Sequence, residues 1–344
     1  TAGGEVFLGS EETALNLGLV EAGGPVRLKT SGDILNDPGG IDPNVVTAGS
    51  VLFEASQGQI GTSTARVLYD ITDASSDMTA RASGEIWLGE TAGDMRVATV
   101  FSSSSDVDLW AIDGSIIDSI SLDFVNIEAA DIRLRALGSI GSDANPFEIE
   151  ARGDGSAAGR GWVTLIAGEE IPDGNGVLDR SSVVLQDIVV YQAGDLHLRT
   201  AFATGDVTLT ARESILDAVD LADPQNPYST SETTPSLPRA DVYGNNINLR
   251  AVNGFIGLAG NDLDIDMARN VLGVLATESL HDSYITQVDS NGVGDGNIYV
   301  FTIETSDPIA QIENLVFGGT LAAGDQITAT IEGVTIAYTV RDED

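Results

Sequence analysis

The sequence predicts an all-β fold, a parallel β-helix (solenoid) with a small C-terminal β module. Three observations lead there. One short strand pattern recurs along the chain with no helical periodicity between its copies. The copies are unevenly spaced, and the apolar residues are mainly Val, Ile, Leu and Ala, with aromatics only 6 % of 344 residues.

The pattern reads apolar–x–Leu/Phe–x–Ala/Thr, then a short polar turn, then Ile. Its seven copies are Val26–Thr30 with Ile34, Val51–Ala55 with Ile60, Val107–Ala111 with Ile116, Ile132–Ala136 with Ile140, Val163–Ala167 with Ile171, Val207–Ala211 with Ile215, and Ile247–Ala251 with Ile256. Alternation puts the first, third and fifth positions on one face of a strand. Two large apolar residues followed by a small one predict an interior that narrows at a corner. Gly or Ser in most turns permits the bend, and Ile re-enters the core.

A sandwich would require hairpin turns between neighbouring copies, and Asn-Gly or Asp-Gly pairs do not sit there. A propeller requires a regular period. A solenoid accepts irregular spacing, because insertions leave at a corner without disturbing the stack. The expected product is a rod of coils about 4.8 Å apart.

Longer correspondences support true repetition. Ile140-Gly141, Asn145 and Phe147-Glu148-Ile149-Glu150 match Ile256-Gly257, Asn261 and Leu263-Asp264-Ile265-Asp266 position for position. A Gly–acid–apolar strand start recurs at Gly4-Glu5-Val6, Gly32-Asp33-Ile34, Gly84-Glu85-Ile86, Gly194-Asp195-Leu196 and Gly205-Asp206-Val207. Lys29, Arg135 and Arg250 share one outward position, so sparse bases are expected beside acidic columns. Two residues after the closing Ile stand Asn36, Thr62, Asp118, Ser142, Asp173 and Asp217, then Leu258, a polar ladder at a turn.

Gly138-Ser139-Ile140-Gly141-Ser142-Asp143-Ala144-Asn145-Pro146-Phe147-Glu148-Ile149 resembles the repeats of filamentous-haemagglutinin-like giant bacterial surface adhesins. Gly205-Asp206-Val207-Thr208-Leu209-Thr210-Ala211 is similar to the strand units between such runs. The likeness covers residues 1–300 as a style of repeat. It implies a right-handed parallel β-helix exported to the cell surface.

Domain organisation follows. Residues 1–300 are read as the β-helix, with an inserted Pro/Ser/Thr-rich loop near 221–245 carrying Pro224, Pro227, Pro235 and Pro238. Such a loop either carries recognition or is inert. Residues 301–344 form the C-terminal module. Alternation on both sides of Glu332-Gly333 predicts a two-strand hairpin, which is marginal alone and serves as a cap or as part of a truncated domain.

Net charge is −37, from 53 acids against 16 bases, and Lys29 is the only lysine. That surface excludes nucleic acid as a partner, because no basic stripe can displace counterions from phosphate. It calls for screening by salt or divalent cations, calcium above all, and so favours an extracellular or bacterial cell-surface setting. The chain has no cysteine, which removes disulfides, thiolate metal sites and cysteine nucleophiles. It starts at Thr1 with no charged-then-apolar leader, so a processed or excised chain is expected. No apolar run reaches the roughly 18 residues of a membrane span.

Nothing points to catalysis. His197 and His281 are the only histidines, and His197 falls at an outward strand position. Nucleophile-elbow, phosphate-loop and metal-hydrolase spacings are absent. Trp87, Trp110 and Trp162 sit in different copies, with no cluster evident in sequence. Two segments place oxygen donors at alternate positions with glycines between: Asp173, Asn175 and Asp179, and Asp289, Asn291 and Asp295. Both read either as calcium ligands or as acidic turns. Neither completes an EF-hand loop, because the fifth position is Val and no terminal Glu follows.

The functional expectation is a non-enzymatic structural or adhesive surface module. Its partners would be a host or neighbouring cell-surface glycan or protein, or copies of itself. The alternatives are a calcium-dependent self-assembling filament or surface-layer subunit and, further off, a polysaccharide-acting β-helix enzyme.

Overall fold

The computed structural model describes residues 3–11, 14–37, 43–120, 124–153, 161–168, 184–218, 240–267 and 273–287, with backbone alone for 299–305, 326–331 and 334–339. None of the described residues is helical. The chain divides into two compact units, Thr1–Ala167 and Gly168–Asp344, a division that falls inside the segment read as one β-helix.

In unit 1 the chain runs as successive coils. The first holds β1 (Val6–Ser10), β2 (Leu15–Leu17) and β3 (Val20–Ala22), and the second β4 (Val26–Thr30), β5 (Ile34–Asn36) and β6 (Val45–Thr47). Next come β7 (Val51–Ala55) and β8 (Val67–Ile71), β9 (Met78–Ala82) and β10 (Ile86–Glu90), then β11 (Met95–Ser102) and β12 (Val107–Ala111). The unit ends with β13 (Ile116–Asp118), β14 (Ile127–Ala129), β15 (Ile132–Ala136), β16 (Phe147–Ala151) and β17 (Trp162–Ala167).

Strands of successive coils pair in parallel on two faces. On the first face the order is β1-β4-β7-β9-β11-β14-β16; on the second it is β3-β6-β8-β10-β12-β15-β17. Parallel pairing between elements far apart in sequence, on two faces, is the parallel β-helix that the repeat predicts.

The interior is built from stacked like residues. Ile86, Val107, Ile132 and Val163 form one column, and Leu88, Leu109, Leu134 and Leu165 the next, all essentially without solvent exposure. The small fifth positions Ala111, Ala136 and Ala167 stack at the corner. The closing isoleucines stack too, Ile34 on Ile60 on Ile86 and Ile116 on Ile140. Ile171 lies outside the described residues.

The seven copies are all strands, but they do not share one face. Val26–Thr30 and Val51–Ala55 lie on the first face, whereas Val107–Ala111, Ile132–Ala136 and Val163–Ala167 lie on the second. The exchange happens at β10 and β11. Below them the second face is split into two short rows, and β10 joins these rows by pairing Ile86 with Ile60 and Leu88 with Val67. Eight-residue β11 lies under the split pieces β13 and β14, so from there the first face is the divided one.

Unit 2 repeats this plan. It holds β18 (Ile188–Gln192), β19 (Leu196–Ala203), β20 (Val207–Ala211), β21 (Ile215–Asp217), β22 (Val242–Gly244), β23 (Ile247–Ala251), β24 (Leu263–Met267), β25 (Val274–Ser279), β26 (Ile285–Gln287) and β27 (Tyr299–Thr305). One face runs β18-β20-β23-β25-β27 and the other β19-β22-β24-β26, with β21 also on β19. Residues 221–239 of the expected loop lie outside the described residues. Its last part is strand β22, because Val242 and Tyr243 are apolar and buried against the stack. The expected hairpin is present: β28 (Gln326–Ile331) and β29 (Val334–Thr339) pair antiparallel from Gln326↔Thr339 to Ile331↔Val334.

The Ile-Gly match has a local cause. Gly61, Gly141 and Gly257 have φ of 66°, 69° and 66°, a left-handed conformation that favours glycine. Each opens a tight turn closed by paired backbone bonds, Thr62 with Ala65, Ser142 with Asn145 and Leu258 with Asn261. Asn145 and Asn261 then reach down to the carbonyls of Asp118 and Asp217, both at 3.2 Å.

Candidate functional site

The six metal-ligand candidates, Asp173, Asn175, Asp179, Asp289, Asn291 and Asp295, lie outside the described residues. Among the described residues, no group of three or more His, Asp or Glu is placed to hold a metal ion.

The acids at strand starts have a structural use. Asp33 accepts the N–H of Gln59 at 3.0 Å, Asp195 that of Ser214 at 2.9 Å and Asp206 that of Asn246 at 3.1 Å, each one coil further on. Where the position is not acidic, Ser115, Ser214 and Asn246 accept from Ser139, Phe255 and Val274 in the same way. A side-chain acceptor here satisfies a backbone donor that the turn leaves unpaired and sets the register of the next coil.

Outward basic residues pair across coils as their shared position suggests. Lys29 meets Glu54 at 2.8 Å, and Arg250 meets Glu278 at 2.9 Å. Arg135 belongs to a larger group. On the second face of unit 1, Asp108 is 3 % exposed and bound by Arg66 at 2.9 Å, Arg133 at 3.3 Å and Arg135 at 3.8 Å. Arg66 also donates to the Asp108 carbonyl at 3.2 Å.

The tryptophans correct the sequence reading. Trp87 and Trp110 are brought together, because β8, β10, β12 and β15 are neighbours and the three strands β10, β12 and β15 pair in register. The Arg66 guanidinium lies 5.0 Å from the Trp87 ring and 5.8 Å from the Trp110 ring, and Arg135 lies 4.9 Å from Trp110. Trp87 Nε1 donates to Glu85 at 2.7 Å. The local charge is complementary: the guanidiniums face π clouds and a carboxylate removed from water. No sequence signal could have found this group, since Arg66 and Asp108 are 42 residues apart.

A second polar feature lies at the corners. Asn44 is fully buried; its Oδ1 accepts the Leu68 N–H at 3.0 Å, and its Nδ2 donates to Asn36 Oδ1 at 2.9 Å and to the Leu17 carbonyl at 3.2 Å. Asn126, also fully buried, accepts from Glu148 N–H at 3.0 Å and donates to Asp118 at 2.6 Å and to the Val97 carbonyl at 3.3 Å. In unit 2 the buried Asp241 accepts from Asp264 N–H at 2.8 Å, and its carboxyl faces the Asp217 side chain. The polar ladder read from the sequence thus has two uses: Asn36, Asp118 and Asp217 face a buried corner residue, and Thr62, Ser142 and Leu258 begin the tight turns.

One carboxyl sits in the apolar interior itself. Glu90 occupies the fifth position of β10, where later coils have alanine, and accepts the Ile71 N–H at 3.1 Å. Burial pushes its pKa up to about 9, with Asp70 adding to the rise, so it is protonated at neutral pH. His197 sits half-buried at an outward position of β19, between the inward Leu196 and Leu198.

No family model, curated protein or solved structure matches the chain.

Proposed function

We propose that this chain is a non-catalytic structural or adhesive module of an exported bacterial surface protein, in which stacked coils act as a spacer and display scaffold. The observation that carries the reading is the use of the polar side chains. Strand-start acids accept backbone donors of the next coil, and outward acids pair with the sparse bases, so the described polar groups hold coils in register. The strongly acidic surface suits a saline, calcium-containing exterior.

The Trp87/Trp110 group is the part of unit 1 that a polysaccharide-acting reading would need. Its rings already carry Arg66 and Arg135, and its carboxylate is bound by three arginines, so it reads as a clasp between coils. Partners would be a cell-surface glycan or protein.

Negative-stain microscopy of the purified chain, with calcium and again with a chelator, tests the proposal. Separate particles in both conditions are expected. Ordered filaments that form with calcium and dissolve on chelation would replace it with the self-assembling reading.

A further inference from the structure

Three corners share one backbone frame. The N–H groups of Val20, Val100 and Ala201 donate to the carbonyls of Asn44, Asn126 and Asp241, and these three residues donate their own N–H to Leu68, Glu148 and Asp264. Their side-chain partners are also equivalent: Asn36 pairs with Leu17, Asp118 with Val97 and Asp217 with Leu198 in the register of the coil before. Only the chemistry of the third corner differs. Where Asn44 and Asn126 present an amide nitrogen to Asn36 and Asp118, Asp241 presents a carboxyl oxygen to Asp217.

An amide can accept with one atom and donate with the other, whereas an ionised carboxylate only accepts. The Asp264 N–H occupies one acceptor of Asp241, and the contact with Asp217 then requires a hydrogen between two carboxyl oxygens. We propose that Asp241 is a protonated acid standing in for the corner asparagine, that its proton is shared with Asp217, and that losing this proton loosens the corner. The two residues flank segment 219–239 in sequence, so the shared proton also ties together the chain on either side of that segment.

Asp241 faces Asp217 from β21 and Asp264 from β24; the other ionisable groups on the packed strands are Asp266 on β24 and His197 and Arg199 on β19. Burial, then the charges of Asp217 and Asp264, hold the Asp241 carboxyl well above the usual range, which agrees with the geometry. The sign follows from linkage. A carboxyl whose folded value is raised contributes stability that is complete below its unfolded value and is lost as pH rises through the folded value.

Thermal unfolding of the whole chain across roughly pH 4 to pH 9, for the wild type, Asp241→Asn and Asn126→Asp, tests this. Asp241→Asn copies the Asn126–Asp118 pair. It should match the wild type near about pH 4 and exceed it by about 2–4 °C in Tm near pH 8. Asn126→Asp should gain the opposite slope. A protonated-carboxyl band in the infrared spectrum at neutral pH should shrink in Asp241→Asn, a readout that does not depend on stability. If Asp241→Asn is no more stable than the wild type at the higher pH and leaves that band unchanged, the proton is not there.

Discussion

Glu90 lies across one coil step from Tyr69, and both side chains point into the apolar interior of unit 1. The Tyr69 hydroxyl has no hydrogen-bond partner among the described residues, and burial raises its pKa well above the usual tyrosine value. A carboxyl and a phenol therefore share a buried column otherwise made of Val45, Ala111, Ala136 and Ala167.

This pair makes stability fall toward alkaline pH. Glu90 is protonated when folded up to about pH 9, whereas the unfolded chain releases that proton near 4.5. The contribution is complete below the unfolded value and is lost as pH rises through the folded one. Glu90→Gln keeps an acceptor for Ile71 N–H and carries no charge. It should raise stability by on the order of 2 kcal/mol near pH 7 and do little near pH 4, as measured by denaturant titration at each pH.

The Asp108 clasp should behave unlike the outer ion pairs. Asp108→Ala leaves Arg66, whose side chain is only 11 % exposed, without its counter-charge. A loss of about 3–5 kcal/mol is expected, little changed by salt. Glu278→Ala removes a pair that is half-exposed on both sides, and its effect should stay within about 0.5 kcal/mol. Equal losses in the two variants would mean that the clasp is an ordinary surface network.

Glycine substitutions separate backbone strain from collision. Gly61 and Gly93 both have positive φ, 66° and 77°. An added Cβ at Gly61 would strike the Trp87 carbonyl, whereas at Gly93 it would meet nothing within 4 Å. Gly93→Ala should cost about 1 kcal/mol and Gly61→Ala clearly more, read from unfolding midpoints.

Truncating the leucine column tests the interior. Leu134 stacks between Leu109 and Leu165 with no exposure, so Leu134→Ala opens a cavity walled by both neighbours. A loss of about 2–5 kcal/mol in unit 1 is expected, and a loss below about 1 kcal/mol would show that adjacent coils collapse onto the gap.

Much of this was readable in the chain because a strand's alternation is local. Val107, Leu109 and Ala111 point inward for the same reason in any coil, and the tight turn after Ile140 needs glycine whatever surrounds it. The match of Asn145 with Asn261 likewise marked a real equivalence, since both donate to the coil before.

By itself, then, the sequence determined the strands, their inward columns, the glycine turns and the terminal hairpin, all set by neighbours a few residues away. Only the tertiary structure decided which face each copy occupies, that Arg66 and Trp110 meet over Asp108, and that Asp241 stands where Asn44 and Asn126 stand. These depend on which residues stack between coils. That stacking is set by the summed lengths of turns and insertions, so residues tens of positions apart become neighbours without any mark in the local pattern.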